Sequence, residues 1–263
     1  MDAQSAEHTS QQGDGVQVRW YLSARNRIEA ITSYLALAQH TFAEALPQSF
    51  GRYEPSERSY DPQQPQAVGL LAEAVGDRVH FEGSGPVVFG SMPGPGPGIT
   101  SLTLTLRAAP LADRGTRERF RQLFVQLARR TDTLLATAEL QRGGLGTGPA
   151  EASSEFRRAE PMVYLAPGGR WMGLPPYPVW WSWYGAAYRP LVMDSLGAVA
   201  EADGVGLFHA LSEAPWDRCQ LAGRSAAPDP SLLARPRSLG LDLPLHNPPL
   251  EAARIMPPSP RDG

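Results

Sequence analysis

The chain has 263 residues, 42% apolar and 19% charged, enough to bury a sizeable core as one large domain or two smaller halves. All 24 of its basic side chains are arginine, which excludes chemistry that needs a lysine: a P-loop phosphate lysine, a Schiff-base nucleophile or a kinase strand lysine. A formal net charge of -3 and a pI near 6.0 argue against a nucleic-acid partner, which calls for a basic footprint.

Residues 1–15 are polar, with Asp2, Glu7 and Asp14 and no apolar stretch, and read as a disordered lead-in rather than a signal peptide. No window approaches the roughly 18 continuous apolar residues that a membrane crossing needs. Cys219 is the only cysteine, so no intramolecular disulfide can form, and the expected compartment is the cytosol.

A first α+β half is expected over residues 16–142. Val16, Val18, Trp20 and Leu22 alternate as a half-buried strand does. Asn26 and Glu29 resemble a capping box for a helix whose apolar positions run from Ile28 through Ile31, Leu35, Ala38 and Phe42 to Leu46, stopping at Pro47. Residues 50–55 form a compact loop with an aromatic pair and the charges of Arg52 and Glu54. A short helix is expected from Val68 to Val75, then strands at Val79–Phe81 and Val87–Phe89. The run Pro93-Gly-Pro-Gly-Pro-Gly98 cannot hold a ladder. Leu102, Leu104 and Leu106 alternate with Ser101, Thr103 and Thr105 as a one-sided strand. Thr116–Arg130 sets Phe120, Leu123, Phe124 and Leu127 on one helical stripe and Arg114, Arg121 and Arg129 opposite. Residues 133–141 have helix-favouring composition, but a β-α-β unit is left to complete, and they are assigned as a strand.

Residues 143–160, rich in Gly, Ala and Ser, read as a connection. The glycines at 143–148 miss the dinucleotide spacing, because Pro149 stands where the third glycine belongs. An aromatic-rich second half, 161–223, follows. Four of the six tryptophans and three of the eight tyrosines fall between Trp171 and Tyr188, a density that demands burial or contact. If 180–184 is a strand, Trp181 and Trp183 share one face, with Trp180, Ser182 and Tyr184 on the other. Gly185, Ala186 and Ala187 leave room for another backbone. A helix is expected at Met193–Ala202 and a strand at Val205–Leu211. Residues 224–263 are proline-rich and read as a wrap or tail, with Leu232, Leu239, Leu241, Leu243 and Ile255 partly docked.

Charge is uneven along the chain. Arg107 to Arg130 holds seven arginines against Asp113 and Glu118, and Asp194 to Asp217 holds five acids and no base. A dipolar surface that steers a charged protein partner is expected.

Little points to chemistry. The histidines 8, 40, 80, 209 and 246 sit on separate elements without metal-ligand spacing, so no metal and no cofactor are expected. A nucleophile elbow is missing, since Pro93 blocks the helix that would follow Ser91. Cys219 is expected to pack near Trp216.

The ordered features Phe50-Gly51-Arg52-Tyr53-Glu54-Pro55, Leu102-Thr-Leu104-Thr-Leu106, Phe120-Arg-Gln-Leu123-Phe124 with Thr131-Asp132-Thr133, and Trp171-Met-Gly-Leu-Pro175-Pro-Tyr-Pro with Trp183-Tyr184-Gly185-Ala-Ala-Tyr188 resemble the immunity protein 52 family of bacterial polymorphic-toxin systems. The likeness spans roughly residues 16–223. It implies a cytosolic α+β protein that blocks a cognate toxin domain by contact, without catalysis.

The expected fold is an α+β antiparallel or mixed sheet built from two β-α-β-like, ferredoxin-like halves with helices on one face. The expected function is non-enzymatic protein binding through Arg52, Glu54, Trp183, Tyr184 and Tyr188, with no nucleic-acid or membrane partner. Two alternatives stay open. One is a hydrolase or transferase with a dispersed carboxylate/arginine site using Arg52, Glu54, Asp132 or a histidine. The other is a subunit that pairs its aromatic segment with its own copy as a homodimer.

Overall fold

The computed structural model describes residues 13–52, 55–64, 66–74, 78–142, 145, 163–196, 200–202, 204–224, 228–237 and 248–257. Most of the expected lead-in and connection, and residues 238–247 with Leu239, Leu241 and Leu243, lie outside them.

In chain order the strands are β1 (Gly15–Ser23), β2 (Ser49–Gly51), β3 (Arg58–Ser59), β4 (Val79–Glu82), β5 (Val87–Met92), β6 (Ile99–Arg107), β7 (Leu135–Gln141), β8 (Trp181–Gly185), β9 (Ala200–Ala202) and β10 (Gly206–Ala210). They form one ten-stranded sheet in the order β3-β2-β4-β5-β6-β1-β7-β8-β10-β9. Every pairing in it is antiparallel. The helices are α1 (Arg27–Thr41), α2 (Gln66–Ala74), α3 (Arg114–Arg130), α4 (Arg189–Leu196) and α5 (Arg218–Leu221).

Alternation along β1 decides where the core lies. Val16, Val18, Trp20 and Leu22 point into a cluster with α1 and α3, while Tyr21 joins a second cluster on the opposite face. β6 and β7 both pair with β1 and are joined through α3, so the strand assigned to 133–141 completes a β-α-β crossover that steps over β1. The apolar stripe of α3 is buried as its periodicity requires, and Trp20 Nε1 donates to Phe124 O at 3.1 Å. The glycine-proline run falls between β5 and β6, as expected of a segment unable to form a ladder.

Four expectations change. One sheet runs through both halves, because β8 pairs directly with β7, but the halves are not ferredoxin-like units. Helices do not keep to one face, because α4 buries Val192 and Leu196 in the second cluster with Tyr184 and Leu207. The helix expected at 193–202 begins earlier, at Arg189, and Ala200–Ala202 is the edge strand β9. Pro190 falls in the first turn of α4, where its missing N–H costs nothing. Asn26 makes no capping bond; its Nδ2 donates to Thr131 O at 3.2 Å, tying the start of α1 to the end of α3.

On the second face, residues 228–237 and 248–257 dock along 171–174. Leu174 N donates to Leu232 O at 2.9 Å, Ala234 N to Leu174 O at 2.9 Å and Ala253 N to Met172 O at 2.8 Å. The C-terminal wrap is therefore ordered where it is described, with Leu232 buried and Ile255 exposed.

Candidate functional site

β8 is aromatic on both sides and covered on both sides. Trp181 and Trp183 face α1 and α3, where Trp181 stacks on Phe120 with ring centroids 5.4 Å apart. Ser182 and Tyr184 face the other way. Trp180 precedes the strand, so the pleat does not carry to it; instead of joining Ser182 it stacks on Trp181 at 4.0 Å. Two glycines admit these rings and their neighbours. A Cβ at Gly206 would lie 2.2 Å from the Trp183 ring, and one at Gly185 would lie 2.1 Å from Thr133 O, the close backbone approach expected of Gly185.

This packing corrects the expected contact surface. Trp183, Tyr184 and Tyr188 are all buried, and the Tyr188 hydroxyl accepts from Trp171 Nε1 at 2.7 Å. Arg52 is exposed just past β2. Five strands separate β2 from β8, a span on the order of 30 Å, so Arg52 and the aromatics do not converge. Glu54 lies outside the described residues. The charge runs are also partly paired within the chain: Arg121 Nη1 meets Glu201 Oε2 at 2.8 Å, Arg117 Nη2 meets Glu213 Oε1 at 3.1 Å, and Arg142 meets Asp217 Oδ2 at 2.9 Å. Two arginines of the basic helix thus pair with two acids of the segment 194–217, while Glu213 and Glu201 keep 80% and 70% of their side chains exposed. Asp132, a candidate for the enzyme reading, has φ 47 and ends α3. Cys219 is exposed rather than packed, because α5 turns Leu221 inward.

What the second face does offer is a cavity of about 110 Å³. Its floor is the β8–β10 pairing, which sets Ser182 directly opposite His209. Its walls include Pro175, Pro176 and Pro178, with Tyr177, Leu196 of α4 and Leu233 of the wrap. A proline-rich segment suits this place, because it brings few N–H groups that an apolar face would leave unsatisfied. Ser182, Tyr184 and His209 are only 4%, 5% and 6% exposed. Burial holds the His209 imidazole below its ordinary pKa, favouring the neutral ring, and pushes the Tyr184 phenol up, eased by Ser182. The backbone of His209 is held in the sheet between β8 and β9, while its side chain makes no hydrogen bond to another described residue.

Beside the cavity a polar cluster clamps its wall to the sheet. Arg218 Nη2 meets Glu139 Oε2 at 3.0 Å, and the Arg218 guanidinium sits 3.2 Å from the centroid of the Tyr177 ring. Val163 N donates to the Tyr177 hydroxyl at 3.3 Å, and Arg19 Nη1 donates to Val163 O at 3.1 Å. Burial pushes the Tyr177 phenol far up, Glu139 adds to the rise, and Arg218 partly offsets it. Burial opposes the charge on Arg19, but Tyr21 and Glu139 outweigh it and raise its pKa. These groups answer one another within the chain, so the cluster positions the wall, and the polar side chains lining the cavity itself are Ser182, Tyr184 and His209 with the Tyr177 ring.

Sequence reasoning passed over Ser182 and His209. The only available signal was that both stand on strand-like runs; which strand pairs with which, and in what register, is not written in either run. Among the described residues no three His, Cys, Asp or Glu side chains are grouped to hold a metal, and no helix is long and apolar enough to cross a membrane.

No family model matches the chain, so the likeness to the immunity protein 52 family rests on motif order alone. No curated protein matches it. Among solved structures it is similar to the Pseudomonas aeruginosa T6SS protein PA0821, with 14% identity, a TM-score of 0.48, and 83% of this chain and 73% of that one covered. This is a distant structural likeness, and no functional property is carried over from it.

Proposed function

We propose that this protein works by binding another protein in the cytosol, in the manner of a toxin-neutralising immunity protein, and performs no catalysis of its own. The observation that carries this reading is the size and build of the cavity. At about 110 Å³ it is well below the roughly 300–1,000 Å³ of sites that enclose a small-molecule substrate. It matches a slot for one anchoring side chain, and its proline walls are rigid before a partner arrives, which lowers the ordering cost of association. The motif order shared with immunity proteins supports the same reading.

The test is direct. The genomic neighbourhood is read for a toxin domain, the purified protein is mixed with any domain so encoded, and complex formation and toxin activity are measured; the lack of such a domain counts against the reading. A stable complex with loss of toxin activity is expected, weakened at least about tenfold by Leu233→Trp at the cavity wall, the loss typical of a blocked anchor. Full inhibition by that variant would remove the cavity from the interface, and failure of the toxin domain to bind would remove the reading itself. Sizing of the protein alone separates a homodimer from a foreign complex.

One observation favours a second reading, a hydrolase: Ser182 and His209 stand side by side in the cavity. The imidazole has no carboxylate among the described residues to orient it, as a serine nucleophile's base needs. Turnover of an ester substrate that disappears in Ser182→Ala would decide for this alternative.

A further inference from the structure

We infer that the cavity is a receptor for a tyrosine side chain supplied by the protein partner, with the phenol hydroxyl meeting His209. This rests on the binding function proposed above and names the group that is bound. Three observations on the page select it. The cavity is small, about 110 Å³ against about 150 Å³ for a closed apolar cavity that holds benzene, and it is open on one side, so a single ring can enter edge first with its outer part left outside. Among the described residues its lining contains no arginine, aspartate or glutamate, in a chain with 24 arginines and 27 acids, so a charged group entering it would meet no opposite charge from them.

The third observation is His209 itself. His209 is only 6% exposed and its side chain makes no hydrogen bond to a described residue, so its ring meets solvent where it lines the cavity, beside the hydroxyl-bearing side chains of Ser182 and Tyr184. As a neutral ring it offers one donor and one acceptor, and a hydroxyl can answer either. Phenylalanine would fill the space but leave the imidazole unanswered. Tryptophan is larger and can only donate, while serine or threonine would leave the proline walls uncovered. Tyrosine satisfies the space and the polar group together.

The experiment titrates the intact protein with p-cresol, toluene and N-acetyltyrosinamide while the His209 ring resonances, assigned by their loss in His209→Phe, are followed by NMR. Saturable binding of p-cresol and N-acetyltyrosinamide with movement of the His209 signals is expected, with toluene at least about tenfold weaker, the loss expected when a buried polar group is left unpaired. His209→Phe should bring p-cresol and toluene to similar affinity. If that variant does not fold, Leu233→Trp serves instead, and should block both while the His209 signals of the free protein remain. Equal affinity for toluene and p-cresol in the parent, or no saturable binding, overturns the proposal. The final arm adds p-cresol to the complex with the toxin domain. Displacement supports the assignment, and p-cresol bound at His209 without displacement overturns the tyrosine assignment. The binding function itself is read separately from whether that complex forms.

Discussion

At Asp132 a single backbone angle settles a role that composition left open. The residue has φ 47, and Thr133 N donates to Ala128 O at 3.0 Å while Asp132 N points to Arg129 O at 3.4 Å, the paired bonds of a Schellman stop. An aspartate in the left-handed region is strained, and glycine is not. Asp132→Gly is expected to stabilise the protein by about 1 kcal/mol, seen as a higher urea midpoint with unchanged slope. A lower midpoint would mean that the carboxylate makes a contribution beyond ending the helix. The same scale explains why the tryptophans misled. Aromatic density was legible and the need to cover it was legible, but burial on both faces of β8 depends on α3 arriving from one side and residues 163–179 from the other.

Among the elements, α3 carries the clearest local signature and a capped start. Asp113 Oδ2 accepts from Thr116 N at 2.7 Å. That backbone N–H, with the Thr116 side chain, holds the Asp113 carboxyl below its ordinary pKa. A folded-state pKa that is depressed means stability fully present above the unfolded value and lost as pH falls through the folded one. Asp113→Ala should therefore lower the urea midpoint at pH 7. Its difference from the parent should shrink as the pH is taken below the carboxylate range. A difference independent of pH would show that the cap is not the source. Helices read well because their signal is internal: the period of α3 needs only its own residues. α4 did not, because its start is set by the turn after Gly185 and its outer residues, Leu191 and Met193, break the apolar period.

Among the described residues ten strands form one continuous sheet, with a second sheet of two short strands, Arg235–Pro236 and Leu250–Glu251. The pairing of the large sheet continues from β7 to β8, and the aromatic cluster of Phe120, Phe124, Trp181 and Phe208 spans that junction. Unfolding should follow as one cooperative transition, with tryptophan fluorescence and far-UV circular dichroism changing together. Two separated transitions would restore the two-half organisation. The internal pairing of Arg121 with Glu201 and Arg117 with Glu213 has a similar lesson. Runs of opposite charge far apart in sequence looked like two separate poles, and folding joins them at these two pairs.

By itself the amino-acid order determined the local facts: an α+β chain, the alternation along β1 and β6, the stripe of α3 and the unusual demand for burial around β8. Those depend on neighbours a few residues apart. Strand order, register, the face on which α4 lies and the meeting of Ser182 with His209 under a proline wall were decided only by tertiary structure, because each brings together segments whose sequences carry no mark of their partner.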